Sequence, residues 1–148
     1  MADQASCLEL SESFSMRSHM DIVRGIHFVG HNSDTMASIS EDCTVKLWSI
    51  KAMQGAHAGD QKGNIEPFFT MRGHTGPLFA CTGNTSASQL GGNLIFTAGM
   101  EGQIRVWTVP AESEVNGYGD TYDGKNYCIG VWSDIDQEAF WDLKYHPF

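Results

Sequence analysis

The sequence contains few basic residues and no long apolar run, and these two absences already narrow its function. It carries 9 Lys and Arg residues against 18 Asp and Glu residues, a formal net charge of −9 over 148 residues. Because phosphate neutralisation requires clustered Lys and Arg, this composition argues against a nucleic-acid partner. A membrane-spanning helix needs roughly 18 consecutive apolar residues, and no stretch approaches that length. We therefore predict neither nucleic-acid binding nor a membrane span.

Cysteine is also scarce, and its spacing excludes two common uses. The four cysteines are far apart and form no CxxC pair, which fits neither a zinc knuckle nor a disulfide-rich scaffold. The N-terminus lacks the basic region and apolar core of a secretory signal. Reduced thiols in a cytoplasmic or nuclear protein are the simplest interpretation, and we predict a cytoplasmic location.

The motifs of common enzymes are missing as well. There is no GxSxG nucleophile elbow and no GK[ST] phosphate loop. The six histidines include no HExxH pair, and the stretch Gly117–Gly124 is predicted to be a loop rather than a phosphate cradle. The carboxylates Asp134 and Asp136 are more simply explained as solvated side chains. The sequence predicts no metal site, no cofactor and no enzymatic activity.

What the sequence does contain is an internal repeat. Two segments each hold three apolar runs of strand length bounded by Gly, Asn, Asp or Ser, a pattern that indicates strands. In both segments an acidic residue stands six positions before a tryptophan, as Asp42 before Trp48 and Glu101 before Trp107. The runs are Val23–Val29, Met36–Asp42 and Val45–Trp48 after His19, and Pro77–Gly83, Leu94–Gly102 and Ile104–Trp107 after His74. We predict an all-β protein.

A histidine corner followed by an acidic turn and a tryptophan resembles the WD40 repeat, whose copies form the four-stranded blades of a β-propeller. The corners here are Ser18-His19 and Gly73-His74. The resemblance implies an all-β, partial WD40 propeller with two four-stranded blades and the start of a third. A propeller closes with about 4–8 blades, so this chain is expected not to close alone. Its unpaired blade edges predict poor solubility or oligomerisation.

The repeat divides the chain into six parts. Residues 1–11 form an N-terminal tail, 12–50 the first repeat with an outer strand plus three strands, 51–66 a linker, 67–109 the second repeat, 110–125 an acidic Gly/Tyr linker, and 126–148 the start of a third repeat. Both linkers are predicted to be exposed connections because they are rich in glycine and polar residues. Trp132, Phe140, Trp141 and Tyr145 form an aromatic group that we expect to pack in the core of the third blade.

Four stretches narrow the resemblance to the C-terminal propeller of the striatin family: Arg17–Arg24, Ser40–Trp48, Glu66–Pro77 and Tyr118–Gly124. The resemblance implies a non-enzymatic protein-interaction scaffold, which in the full-length protein links a protein phosphatase 2A core to kinases of the STE20 class. The parts of that family that grip the phosphatase and calmodulin lie N-terminal to the propeller, and nothing in this sequence matches them. The alternative is a WD40 subunit of another assembly, such as a vesicle coat or an RNA-processing machine. An enzyme is a third, less supported possibility.

The resemblance also implies roles for individual residues. In the family, the corner histidine, a Ser or Thr of the middle strand, the turn aspartate and the tryptophan form a buried chain of hydrogen bonds. The members here would be His19, Ser38, Asp42 and Trp48 in the first copy, and His74, Thr97 and Trp107 in the second. Glu101 stands in the place of the second aspartate and is one methylene longer, so an altered network is expected there. The candidate partner-binding residues are Asp21, Glu41 and Met100, in loops beside the corners and turns.

Overall fold

The computed structural model describes residues 15–30, 33–58, 65–84, 92–115 and 127–146. Its strands are β1 (Val23–Val29), β2 (Thr35–Ser40), β3 (Val45–Ser49), β4 (Phe69–Met71), β5 (Leu78–Gly83), β6 (Leu94–Gly99), β7 (Gln103–Thr108) and β8 (Cys128–Ser133). They form two four-stranded antiparallel sheets, in spatial order β1-β2-β3-β4 and β5-β6-β7-β8. The prediction of an all-β fold with two four-stranded sheets is confirmed.

Each sheet is a meander whose last strand comes from a later part of the sequence. β4 pairs with β3 although helix α1 (Ile50–Ala58) lies between them, and β8 pairs with β7 after a long connection. Within the segment 126–148, which is expected to begin a third repeat, Cys128–Ser133 therefore forms the outer strand of the second sheet. Residues 15–22, expected to include an outer strand of a preceding sheet, form no strand. A strand requires a partner edge, and none lies beside this segment in the described part of the chain.

The first strands of the two sheets, β1 and β5, which we call the inner strands, share an irregularity in their pairing. In the first sheet the pairing of β1 with β2 shifts between Val23 and Gly25. In the second sheet the pairing of β5 with β6 shifts between Leu78 and Ala80, which is the equivalent place by register. A β-bulge bends a strand and increases its twist. Both inner strands are therefore bent at the same point.

The main hydrophobic core lies between the two sheets. Its side chains alternate along the strands toward the facing sheet, as the two-residue period of a strand requires. The buried members are Val29, Ala37, Ile39, Val45, Leu47, Phe69, Met71, Leu78, Ile95 and Trp107. The ring of Phe69 meets the ring of Tyr127 edge to face, with 4.8 Å between the centroids. Because burying a side chain such as Leu47 is worth about 1.5–3 kcal/mol, this contact between sheets is the main source of stability.

Of the predicted linker 51–66, residues 51–58 and 65–66 are described, and they differ from the predicted exposed connection. Helix α1 follows β3 directly, and its Met53 is buried with Ile65 and Trp48 in a second apolar cluster. Ile50 and Ala56 also pack against this cluster. Three apolar side chains on a helix of nine residues make a pattern too short to indicate a helix in a linker rich in glycine. Among the described residues, no helix has the length and hydrophobicity needed to cross a membrane.

The aromatic residues near the C-terminus do not pack in the core of a third blade, so that expectation is wrong. Residues 134–146 contain no strand and run back across the second sheet, on the face turned away from the first. There Trp141 stacks on Phe79 with ring centroids 4.6 Å apart, and Tyr145 lies over Phe96 at 6.0 Å. The outer face of the second sheet offers apolar surface, which this segment covers in part.

The second predicted linker, residues 110–125, is described only as far as residue 115. It begins with an exposed 3₁₀ helix (Glu112–Glu114), after which Val115 packs against the main core. The remainder of that linker and the N-terminal tail, residues 1–11, lie outside the described residues.

Candidate interaction surface and its hydrogen-bond networks

A chain of polar side chains links the corner, the middle strand and the turn of the first sheet. The indole Nε1–H of Trp48 donates to Ser38 Oγ at 2.8 Å. Ser38 Oγ lies 2.7 Å from His19 Nε2, and His19 Nδ1 lies 2.8 Å from Asp42 Oδ2. The structure thus brings together the four residues that the resemblance assigned to the first network.

This pairing favours one tautomer of His19. An ionised Asp42 can only accept, so Nδ1 of His19 donates to it. Nε2 then accepts the hydroxyl hydrogen of Ser38, whose oxygen receives the N–H of Trp48. Every donor in the chain has an acceptor when the imidazole is neutral. A fully satisfied buried network selects a single arrangement of the segments that it joins.

Asp42 lies at the centre of the turn between β2 and β3. Its Oδ1 accepts from the hydroxyl and the backbone N–H of Thr44 at 2.6 and 2.9 Å, and its Oδ2 accepts from the backbone N–H of Met20 at 3.0 Å. Burial raises the pKa of Asp42, but the hydrogen bonds from Thr44, His19 and Met20 outweigh burial and hold the pKa at about 2. The carboxylate therefore ties the segment before β1 to the turn.

The second sheet repeats this chain with a glutamate. Trp107 Nε1–H donates to Thr97 Oγ1 at 2.7 Å, and Thr97 Oγ1 lies 2.7 Å from His74 Nε2. His74 Nδ1 pairs with one carboxylate oxygen of Glu101. The other oxygen accepts from the hydroxyl and the backbone N–H of Thr75 at 2.6 and 3.0 Å. The network is altered, as the longer side chain predicts, but it is complete.

The hydroxyl that bonds the carboxylate differs between the two sheets because the threonine stands at a different position, since strand register makes Thr44 equivalent to Gln103. Asp42 receives the hydroxyl of Thr44, which follows it in the turn, whereas Glu101 receives the hydroxyl of Thr75, which follows the corner histidine. Burial lowers the pKa of His74 by more than Glu101 raises it, so the imidazole is held neutral. Burial raises the pKa of Glu101, but the hydrogen bonds from Thr75 and His74 outweigh burial and lower it.

The three candidate partner-binding residues lie at one end of the sheets, beside these networks. Asp21 precedes β1, Glu41 lies in the turn between β2 and β3, and Met100 lies at the equivalent place between β6 and β7. Asp21 and Met100 are exposed, while Glu41 is partly buried because it pairs with Arg24. The backbone N–H groups of Glu41 and Met100 each donate, at 2.9 Å, to a carbonyl oxygen of the segment that precedes the first strand of the same sheet. We call Asp21, Glu41 and Met100 the turn surface.

Sequence reasoning missed four residues that support or extend the turn surface. Thr44 and Thr75 bond the network carboxylates, and their hydroxyls at fixed offsets from Asp42 and His74 were a readable signal. Arg24 and Met20 had no such signal. The backbone N–H of Met20 donates to Asp42 of the first network, while the side chain of Met20 is 94% exposed. This apolar side chain therefore extends into solvent from a backbone position that the network fixes.

The thiols and acidic groups near these networks do not form a reactive centre. Among the described residues, no three His, Cys, Asp or Glu side chains are grouped in a way that could hold a metal ion. Burial raises the pKa of Cys81 to about 11. Burial and the nearby carboxylates also raise the pKa of Cys43. Since the thiolate is the nucleophilic form, both thiols are weak nucleophiles at neutral pH.

Comparison with known proteins agrees with this geometry. The WD40 family (WD domain, G-beta repeat) matches residues 10–49 and 65–108, more than half of the chain. The chain is 32% identical over 134 residues to a striatin homolog of Dictyostelium discoideum, 29% over 137 residues to Striatin-4 of Mus musculus, and 31% over 133 residues to Striatin-3 of Homo sapiens. These matches cover 89–90% of this chain and 15–16% of the relatives.

The chain thus spans about a sixth of the length of the curated relatives it matches. The family match falls on both repeated sheets and includes the corner histidines, the acidic turns and the tryptophans that the structure joins by hydrogen bonds. On these grounds the chain belongs to the WD40-repeat family, and within that family its sequence is similar to the striatins.

Proposed function

We propose that the chain is a non-enzymatic protein-interaction module, part of a striatin-like WD40 propeller that organises a protein phosphatase 2A and STE20-type kinase signalling complex in the cytoplasm. The WD40 repeats and the similarity to striatins support the general role of a protein-interaction scaffold. The named partners rest on the resemblance to striatins.

The turn surface is the observation that carries this proposal. Asp21, Glu41 and Met100 project from segments that the networks of His19 and His74 hold in place. A binding surface on rigid supports loses less conformational entropy when a partner docks. The acidic balance of the chain, with a net charge of −9, favours a partner surface that carries basic residues.

A binding measurement with purified partners tests the proposal. The immobilised chain is exposed to a purified STE20-type kinase and, separately, to a purified phosphatase 2A core, with biolayer interferometry as the readout. The triple variant Asp21→Ala, Glu41→Ala, Met100→Ala should bind at least about tenfold more weakly, because loss of a central contact costs about 2 kcal/mol or more and about 1.4 kcal/mol is tenfold. The matched control is Asp34→Ala, Glu112→Ala, which removes exposed carboxylates at the opposite end of the sheets.

The possible results separate cleanly. The proposal is supported if the chain binds the kinase or the phosphatase core and this binding weakens in the triple variant but not in the control. Binding to neither protein overturns the named partners, and an equal loss in both variants overturns the turn surface as their docking site. Turnover of a substrate by the purified chain would overturn the non-enzymatic role.

A further inference from the structure

The last residue of β8, Ser133, is an exposed serine that stands directly before an acidic stretch. Three of the next five residues are acidic, namely Asp134, Asp136 and Glu138, and no lysine or arginine lies within five positions on either side. The side chains of Asp136 and Glu138 are exposed. Charge patterns of this kind are what protein kinases use to choose their substrates. The stretch suits a kinase whose substrate groove carries basic residues.

Burial distinguishes Ser133 from the other described serines that precede acidic residues. Ser38 and Ser40 each have two acidic residues within the next five positions, but their exposed fractions are only 3% and 0%. Ser113 is exposed but has only one acidic residue in that interval. Ser133 lies on the outermost strand of the second sheet, so its hydroxyl is accessible without any opening of the core.

Strand register places a cation beside Ser133. Gln103 pairs with Ser133 and Arg105 pairs with Val131, so the side chains of Ser133, Gln103 and Arg105 share one face of the sheet. The guanidinium Nη2 of Arg105 donates to Gln103 Oε1 at 3.0 Å and thus already reaches the position opposite Ser133. Its Nε is buried and has no hydrogen-bond partner among the described residues. A carboxylate oxygen of Glu101 lies 3.8 Å from this Nε, which is too far for a hydrogen bond.

We propose that Ser133 is a phosphorylation site for a protein kinase that recognises acidic residues after its target serine, and that Arg105 binds the resulting phosphate. In the transfer, Ser133 Oγ attacks the γ-phosphorus of Mg-ATP and the bond to the bridging oxygen breaks, which releases ADP. The hydroxyl proton passes to a base of the kinase. The phosphoserine carries about two negative charges at pH 7 and three acceptor oxygens.

The phosphate and the guanidinium are within reach of each other across the strand pair. Diagonal neighbours on one face of an antiparallel pair, here positions 105 and 133, lie about 7–8 Å apart, and long side chains span that distance. An ionic acceptor forms a stronger hydrogen bond than a neutral amide oxygen, so the phosphate replaces Gln103 Oε1 as the acceptor of Arg105. The carboxylates of Glu101, Asp134 and Asp136 have the same sign of charge as the phosphate. Arg105 is therefore the group that stabilises the doubly charged form.

A kinase assay on the 148-residue chain tests the modification site. A purified serine kinase that requires acidic residues after its target is incubated with the chain, Mg²⁺ and radiolabelled ATP, and tandem mass spectrometry locates the phosphate. The wild type should be labelled at Ser133. Ser133→Ala should lower incorporation at least about tenfold, and so should the double variant Asp136→Asn, Glu138→Gln. Ser113→Ala is the matched control, an exposed serine whose loss should leave incorporation unchanged.

Each result of this assay bears on one part of the proposal. Failure to label the wild type, in a reaction where the kinase labels an acidic peptide substrate, overturns the site. Label that persists undiminished in Ser133→Ala overturns it as well. Full labelling of the double variant Asp136→Asn, Glu138→Gln overturns the recognition of the acidic stretch.

Phosphorus NMR of the phosphorylated chain tests the role of Arg105. A titration of the phosphorus chemical shift gives the second pKa of the phosphate. Arg105→Gln should raise that pKa by at least about 0.5, and Arg105→Lys, which keeps the charge, should restore most of the wild-type value. Lys144→Gln is the matched control because it removes an exposed cation elsewhere in the chain, and it should leave the pKa unchanged.

Denaturation of the wild type supplies a measurement that does not depend on how well the variants fold. In concentrated urea the phosphate pKa of the wild type should also rise, because the guanidinium no longer lies beside the phosphate. A phosphate pKa that is the same in the folded wild type, in Arg105→Gln and in urea overturns the pairing with Arg105.

Discussion

Replacing Asp42 with asparagine tests how much of the stability of the first sheet depends on its buried network. The Asp42 carboxylate accepts from His19, Thr44 and the backbone of Met20. An asparagine keeps one oxygen but turns a donating NH₂ group toward part of these donors. The variant therefore loses an ionic acceptor and leaves a donor facing a donor, and we expect the free energy of unfolding to fall.

The pKa of Asp42 gives the magnitude of that fall. It is about 2 in the folded chain against an ordinary value of 3.8, and each pKa unit corresponds to about 1.4 kcal/mol. Solvent screening at this partly buried group reduces the result, so we expect a loss of about 1–2 kcal/mol at pH 7. Since the folded pKa is lowered, this stabilisation is fully present above pH 3.8 and disappears as the pH falls toward 2.

Urea denaturation followed by tryptophan fluorescence, at one fixed protein concentration, measures the effect. Asp42→Asn should unfold at lower urea than the wild type at pH 7, and the difference should shrink as the pH approaches 2. Asp34→Asn is the matched control because its side chain is exposed at the opposite end of the sheet. Equal unfolding of Asp42→Asn and Asp34→Asn at pH 7, or a difference that persists undiminished in acid, would refute the reasoning.

Three further predictions concern the second network and the two turns. Burial lowers the pKa of His74, so the wild-type unfolding free energy should decline as the pH drops below about 6.5, and His74→Gln should flatten that decline in urea titrations. Trp107→Phe removes the N–H donated to Thr97 and should cost about 1 kcal/mol in the same assay. Cys43 and Gly102 have φ of 68° and 66°, so Cys43→Gly should raise the melting temperature by an amount that corresponds to about 1 kcal/mol. Gly102→Ala should lower the melting temperature by more, because its Cβ would also come within 2.6 Å of the backbone of Gln137.

Each of these predictions has its own control. Burial also lowers the pKa of His27. The decline of the unfolding free energy below about pH 6.5 should therefore be reduced only in part in His74→Gln, and it should vanish only when His27 is replaced as well. Trp132→Phe alters an exposed tryptophan and should leave stability within about 0.5 kcal/mol of wild type. Equal temperature shifts of the same sign for Cys43→Gly and Gly102→Ala would disprove the assignment of strain to that turn position.

The sequence predicted the parts of the fold that depend on short-range patterns. The interval of six positions from Asp42 to Trp48 suffices for a turn and one short strand, and the same interval recurs at Glu101. Alternation of apolar residues then assigns a buried face to each strand. Because the resemblance supplies hydrogen-bonding partners by type and spacing, the members of both networks could be named before any coordinates were known.

The parts that escaped prediction depend on contacts distant in sequence. Helix α1 docks through Met53 into an apolar cluster with Met36, a residue of β2 that only the folded sheet brings within range. The segment at the C-terminus is held by Tyr145 on Thr82, 63 positions away.

The origin of the outermost strands has a consequence for how such a chain can be cut or enlarged. Because β4 and β8 join sheets begun by earlier segments, a nick between β3 and β4 leaves both pieces bound within one ladder of hydrogen bonds. Removing the second sequence repeat takes three strands from the second sheet and one strand from the first. Gene duplication of a whole repeat, in contrast, lengthens the array while every junction between neighbours is kept.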